Sequence, residues 1–77
     1  MTLRIISTTD TIFDGEVTSV SLPGAKGRFM VLNNHASLVS TLVAGKLAYT
    51  IGDDTTQIEV GGGIVDVDNT VVSVCVF

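Results

Sequence analysis

Residues 47–60, LAYTIGDDTTQIEV, carry the clearest structural signal in this chain. Apolar residues occupy every second position on both sides of a central Gly52-Asp53-Asp54 segment. Alternation with a period of two is typical of a half-buried β-strand, and glycine and aspartate are common turn residues. The stretch therefore predicts a β-hairpin whose inward face carries Leu47, Tyr49, Ile51, Ile58 and Val60.

The rest of the chain has the same character. Valine, isoleucine and threonine supply 28 of the 77 residues, and β-branched side chains favour strands over helices. Turn residues recur at short intervals, and 77 residues suffice for one small domain, 1–77. These features predict an all-β fold, a small two-sheet antiparallel β-sandwich or flattened barrel of about eight to ten short strands.

Five local patterns give more detailed expectations. Asp10–Gly15 has the composition of a turn, and Pro23-Gly24 has the residue order of a type II turn. Val17 is out of phase with the strand that follows it, which predicts a bulge or bend. Arg28–Leu32 is apolar on both faces, as in a strand inside a sandwich, and Gly61–Gly63 opens another strand.

Charge and composition exclude several classes of protein. The formal net charge is −4, with only four basic residues, so a nucleic-acid surface is not expected. No apolar run exceeds four residues, as in Phe29–Leu32, far short of the roughly 20 that a membrane-spanning helix needs, and no secretory signal is expected. The composition indicates a soluble domain of the cytosolic type.

The candidate chemical residues are few. His35 is the only histidine and Cys75 the only cysteine, so neither a zinc site nor an internal disulfide is predicted. His35 is interpreted as a loop or partner-contact residue, and Cys75 as a structural residue in a valine-rich strand. Gly61–Gly63 lacks the lysine and serine or threonine of a phosphate loop. No catalytic, cofactor-binding or metal-binding residue is assigned.

A series of short motifs, in a fixed order, carries a family resemblance. The chain resembles the N-terminal β-sandwich domain of the epsilon subunit of bacterial and plastid F-type ATP synthases, called delta in mitochondria. The resemblance extends over essentially the whole chain, and it lies in the order and spacing of these pieces: Phe13–Val17, Val20, Leu22-Pro23-Gly24, Gly27, Phe29, Val31-Leu32, Asn34-His35-Ala36, Leu38, Gly45-Lys46-Leu47 and Gly62–Val67.

The resemblance implies a non-catalytic central-stalk subunit that docks on the gamma subunit and the ring of c subunits. Such a subunit couples ion-driven rotation to ATP synthesis at the cytoplasmic face of the bacterial inner membrane, without membrane insertion, cofactor or bound nucleotide. The expected partner contacts are the Gly27-Arg28 turn and the loop at Asn33, Asn34, His35 and Ala36. Relatives usually have prolines around the histidine and a polar or acidic residue at the position of Arg28.

Structural roles are expected for five residues in turns or bends: Gly15, Pro23, Gly24, Gly62 and Gly63. At Gly63, the head of a strand, a close backbone contact would exclude a side chain. Family members continue into a pair of C-terminal helices that can restrain ATP hydrolysis. The sequence ends at Phe77, after a strand, so this helical pair is predicted to be absent.

Two other functions compete with the central-stalk interpretation. A lipoyl or biotinyl carrier domain is also a β-fold of this size, with a modified lysine at a hairpin tip. Lys26 and Lys46 lie in Ala-Lys-Gly and Gly-Lys-Leu, neither of which matches the usual carrier sequence. A small enzyme is the least favoured, because no acid, base and nucleophile are grouped in the sequence.

Overall fold

The fold is described over residues 1–33 and 36–77 of a computed structural model. Its described residues form seven strands and no helix. The strands are β1 (Thr2–Ile6), β2 (Thr11–Glu16), β3 (Ser19–Gly24), β4 (Gly27–Leu32), β5 (Leu38–Ile51), β6 (Asp54–Asp68) and β7 (Val71–Val76). The all-β prediction is confirmed.

The predicted hairpin is the centre of this fold, and it is much longer than the alternating pattern indicated. Strands β5 and β6 pair antiparallel from Ile51↔Asp54 at the turn to Leu38↔Val67 at the far end. Gly52 has a φ of 61°, a left-handed conformation that glycine adopts readily at a tight turn. The 15-residue β6 joins the strand expected at Ile58 and Val60 to the one expected to open at Gly61–Gly63, and β5 has 14 residues. The described strands therefore number seven rather than eight to ten.

The strand order is β2-β1-β7-β6-β5-β3-β4. Every adjacent pair is antiparallel except β1 and β7, which run parallel from Thr2↔Val71 to Ile6↔Cys75. The expectation of a purely antiparallel fold is wrong at this pair. Antiparallel neighbours can be joined by tight turns, whereas β1 and β7 lie at opposite ends of the chain and are joined through all the other strands.

The sheet folds over on itself. Phe13 in β2 stacks on Tyr49 in β5 with ring centroids 4.2 Å apart, although β1, β7 and β6 lie between these strands in the sheet order. The two layers enclose one core to which β1, β3, β4, β5, β6 and β7 contribute. Its largest fully buried side chains are Leu3, Ile5, Leu22, Leu47, Val20, Val31, Val65, Val67, Val72 and Val74.

The turn expected at Asp10–Gly15 is wrong, whereas the bend expected at Val17 is confirmed. Asp10–Gly15 is mostly strand β2, and the turn lies just before it, where the Ser7 N–H donates to the Asp10 carbonyl at 2.8 Å. Strand β2 lies at the edge of the sheet and hydrogen-bonds to a neighbouring strand on one side only, so aspartate and glycine are tolerated in it. Val17 is buried between β2 and β3, and Thr18, next to it, forms a bend.

The turn expected at Pro23-Gly24 is also wrong. These two residues end strand β3, and the turn consists of Ala25 and Lys26. Proline removes a backbone donor, so in a sheet it is tolerated where a ladder is interrupted. Pro23 lies at such a place, because the β3–β5 register shifts between Ser21 and Gly24.

Strand β4 is an edge strand, not an interior one. Val31 is buried on its inner face, whereas Met30 and Leu32 point outward and are more than half exposed. The apolar run was therefore misleading, because only one face of β4 packs against the core. Gly61–Gly63 likewise does not open a strand but lies inside β6.

Candidate partner-contact surfaces

The first surface is the tip of the β3–β4 hairpin, residues 24–28, here called the basic hairpin tip. Gly24 and Gly27 are paired across it, with Ala25 and Lys26 in the turn. A Cβ on Gly24 would lie 2.7 Å from the Gly27 carbonyl oxygen, and Gly27 has a φ of 125°. The backbone therefore needs glycine at both positions.

The basic hairpin tip is also anchored to a neighbouring strand. The Ala25 N–H donates to the Thr41 carbonyl of β5 at 2.9 Å. Behind the tip, Pro23 is buried, and a Cβ on Gly45 would approach its Cβ to 3.1 Å. The tip is thus fixed by a hydrogen bond and by close packing.

The basic hairpin tip carries two unpaired positive charges. Lys26 and Arg28 are both exposed. Within residues 1–33 and 36–77, the only ion pair joins Arg4 Nε to Asp14 Oδ2 at 3.5 Å, on strands β1 and β2. Both cations of the tip are therefore available to an external partner.

The second surface begins at Asn33, just after β4. The Met1 ammonium donates to Asn33 Oδ1 at 3.0 Å and to the Val17 carbonyl at 3.1 Å. Ala36, two residues before β5, is exposed. The expected contacts Asn34 and His35 lie outside the described residues.

The two expected contact regions do not form one patch. Gly27 begins strand β4 and Asn33 follows its last residue, so six residue steps separate them. At about 3.3 Å per residue, an extended strand places them about 20 Å apart. The two expected contact regions thus begin at opposite ends of one strand.

The glycines of β6 lie against the backbone of β7. A Cβ on Gly63 would collide with the Cys75 carbonyl oxygen and lie 3.1 Å from the Val76 Cα. Gly62 has a φ of 137°, and its Cβ would lie 3.3 Å from the Leu42 carbonyl oxygen. Gly15 is less constrained, since its Cβ would meet only the Phe13 ring, at 3.2 Å.

A third surface was not identified from the sequence. The outer face of β1, β7 and β6 holds a shallow cavity of about 220 Å³, bordered by Ile6 and Ile64 with Arg4 and Asp66 at its rim. Ile64 is 51% exposed. The sequence did contain a sign of this surface. In β1 and β6, apolar residues occur at both odd and even positions, so they cannot all lie on one buried face.

Cys75 also lies at this cavity and is exposed. The burial on which its structural interpretation relied is therefore wrong, whereas the structural role itself stays a prediction. Val74 and Val76 occupy the inner face of β7, and strand alternation places Cys75 on the opposite face.

Buried polar groups and metal-ligand clusters are both absent from the described part of the chain. None of its polar or charged residues is buried, and it contains no group of three or more histidine, cysteine, aspartate or glutamate residues placed to hold a metal ion. No helix long and apolar enough to cross a membrane is found among residues 1–33 and 36–77.

Comparison with known proteins identifies the family. Residues 1–76 match the family described as ATP synthase, Delta/Epsilon chain, beta-sandwich domain. The chain belongs to this family. The resemblance inferred from the order of the sequence motifs is confirmed, and so is the sandwich fold.

Curated relatives of the family are similar along nearly the whole chain. The ATP synthase epsilon chain of Leptospira borgpetersenii is 42% identical over 72 residues, which are 92% of this chain and 57% of the relative. That of Synechococcus sp. is 38% identical over 76 residues, 99% of this chain and 56% of the relative. The chain thus spans somewhat more than half the length of these relatives. The predicted absence of the C-terminal helices stays a prediction.

Two solved structures have the same fold. A chain of the Euglena gracilis mitochondrial ATP synthase, solved as OSCP/F1/c-ring, superimposes with a TM-score of 0.91 at 25% identity, over 96% of this chain and 48% of that one. A chain of the Tetrahymena thermophila central stalk/c-ring assembly gives a TM-score of 0.83 at 14% identity, over 99% and 62%.

Proposed function

We propose that this chain is the β-sandwich of a central-stalk subunit of an F-type ATP synthase, which docks on the gamma subunit and the c-ring. In this role it couples ion-driven rotation to ATP synthesis and catalyses no reaction itself. The observation that carries the proposal is the family match over residues 1–76. The likeness to a chain of the Euglena assembly, which contains F1 and the c-ring, supports it.

The architecture suits the transmission of torque. Strands β5 (Leu38–Ile51) and β6 (Asp54–Asp68) pair along almost their whole length, and one core joins both layers. A continuous ladder with a close-packed interior deforms little under load, because packed interiors have low compressibility. A rotor component needs this stiffness more than it needs a cleft.

Two contact regions at opposite ends of β4 suit a subunit that holds two partners. We assign Gly27 and Arg28 to one contact, and Asn33, Asn34, His35 and Ala36 to the other. The separation of about 20 Å allows the two regions to meet different proteins. In a bacterium, a subunit with this proposed role lies peripherally at the cytoplasmic face of the inner membrane.

Co-purification from membranes tests the proposal. The affinity-tagged protein is expressed in its source organism, membranes are solubilised in mild detergent, and the captured proteins are identified by mass spectrometry. We expect the gamma and c subunits to be captured, and an unrelated tagged β-sandwich to capture neither.

A functional readout completes the test. Vesicles whose ATP synthase has been depleted of this subunit should regain ion-driven ATP synthesis when the protein is added back. Capture of neither rotor subunit, together with a lipoyl or biotinyl mass adduct on Lys26 or Lys46, would contradict the proposal and favour a carrier domain.

A further inference from the structure

The basic hairpin tip, residues 24–28, is an exception to the charge of the molecule. The chain has a formal net charge of −4 and only four basic residues, and two of these, Lys26 and Arg28, lie within three positions of each other. The tip contains no acidic residue, and the residue paired with Arg28 is Pro23. Neither cation is neutralised by an ion pair in the described part of the chain.

The tip presents these charges on a fixed backbone. Gly24 allows the backbone to approach the Gly27 carbonyl oxygen closely, and the Ala25 N–H donates to the Thr41 carbonyl oxygen. A preformed loop loses little conformational freedom when it binds, so more of the interaction energy contributes to affinity. Cations that stand on a fixed backbone and have no ion pair among the described residues are suited to an external anion.

The neighbouring side chains favour a protein partner over a lipid surface. Arg28 shares the outward face of β4 with Met30, which is 57% exposed, so the cation borders an apolar contact area. Arginine and methionine are enriched in protein interfaces. An anionic membrane would attract two cations weakly and repel the remaining acidic surface of the molecule.

We propose that the rotor surface which meets the basic hairpin tip presents carboxylates, at least one of them paired with Arg28. This inference rests on the proposed function and specifies the chemistry of its partner. The planar guanidinium of arginine can form two parallel hydrogen bonds with one carboxylate, which gives a direction as well as an attraction. Lys26, in the turn, adds a second positive charge that attracts the same acidic surface.

Binding measurements with matched charge variants test this inference. The full protein, as wild type, Arg28→Gln, Arg28→Glu or Lys46→Gln, is titrated onto detergent-purified rotor, gamma with the c-ring, from which its own copy has been removed. Lys46→Gln is the control, because it also removes one exposed positive charge, on strand β5 rather than at the tip. Circular dichroism establishes that all four proteins fold alike.

We expect Arg28→Gln to weaken binding about threefold and Arg28→Glu about tenfold or more at low salt, because reversal adds repulsion to the lost attraction. Lys46→Gln should bind as the wild type does. In about 0.5 M salt the differences should shrink, since screening shortens the range of exposed charges. Equal or tighter binding of Arg28→Glu would overturn the acidic partner while leaving the proposed function intact.

Two other outcomes remain distinguishable. If the wild type does not bind the rotor at all, the proposed function fails and this inference fails with it. If the wild type binds vesicles of equal parts phosphatidylglycerol and phosphatidylcholine, and Arg28→Glu loses that binding but keeps its affinity for the rotor, the tip contacts lipid and the acidic protein partner is rejected.

Discussion

The glycine segment of β6 and the edge strand β4 show two opposite uses of a strand. In β6, Gly62 and Gly63 are buried, and Gly63 lies so close to the Cys75 backbone that no side chain fits. In β4, Gly27 has open space around it, and Met30 is more than half exposed. The first segment is constrained by its neighbours, whereas the second is constrained mainly by its own backbone.

This difference teaches how stability and binding are separated in a small domain. A fold of 77 residues is stable by only about 4–12 kcal/mol, so contact residues placed at its centre would be costly to change. Its proposed contacts instead lie at a hairpin tip and beyond the end of an edge strand, where substitution need not disturb the core.

The largest expected effect is that of Gly63→Ala. The new Cβ would collide with the Cys75 carbonyl oxygen, so β6 or β7 must shift. We expect a loss of about 3 kcal/mol or more in the free energy of unfolding, measured by urea denaturation, or failure to fold, detected by circular dichroism. A midpoint equal to that of the wild type would remove the contrast between the two strands.

The second effect separates the two faces of β6. Val65 is fully buried and Ile64, next to it, is half exposed. Val65→Ala should cost about 2 kcal/mol, because it removes two buried methyl groups and leaves a cavity. Ile64→Ala is the matched control and should change the unfolding free energy by less than about 0.5 kcal/mol. Equal losses would mean that the outer face of β6 is covered in solution.

These neighbours also show how far the sequence predicts the fold. Alternation located the inner face correctly at Leu47 and Val60, which are buried, because a period of two is intrinsic to a strand. It was wrong at Ile51, which is 48% exposed beside the hairpin turn. It could not show that β5 and β6 are each continuous, since Gly61–Gly63 has the composition of a break. The continuity depends on β7, whose backbone contacts those glycines, and a long-range contact leaves no local pattern.

The contact surfaces were predictable to a smaller extent. The resemblance suggested Arg28 and Asn33 as contacts, and the strand predicted over Arg28–Leu32 already separated them, as β4 does. The cavity at Ile6 and Ile64 was missed because a sandwich with two buried faces and a sheet with an exposed apolar face give the same sequence pattern. Cys75 was expected to be buried for a related reason, since a valine-rich neighbourhood suggests burial on both faces, but it is exposed.

A smaller effect is expected at Gly27. Its φ of 125° disfavours any other residue, yet a Cβ there would meet nothing within 4 Å. Gly27→Ala should therefore cost only about 1–2 kcal/mol, from backbone strain alone. Gly27→Ala introduces backbone strain without a collision, whereas Gly63→Ala introduces a collision. Urea denaturation of both variants gives the difference between their losses of unfolding free energy. A cost at Gly27 as large as at Gly63 would show that the basic hairpin tip packs more tightly than its open surroundings indicate.

The smallest expected effect is that of replacing the outward side chains of β4. Met30→Thr and Leu32→Thr should each change the free energy of unfolding by less than about 0.5 kcal/mol, because both side chains are more than half exposed and threonine is well suited to strands. Val31→Thr, between them, is the matched control. It buries a hydroxyl in the core and should cost about 1–3 kcal/mol. If all three variants unfold at the same urea concentration, β4 does not have one inner and one outer face, and the contrast with β6 fails. If only Val31→Thr is destabilised, the outward side chains of β4 do not contribute to the stability of the fold. A loss of rotor binding by Met30→Thr would then report on docking rather than on folding.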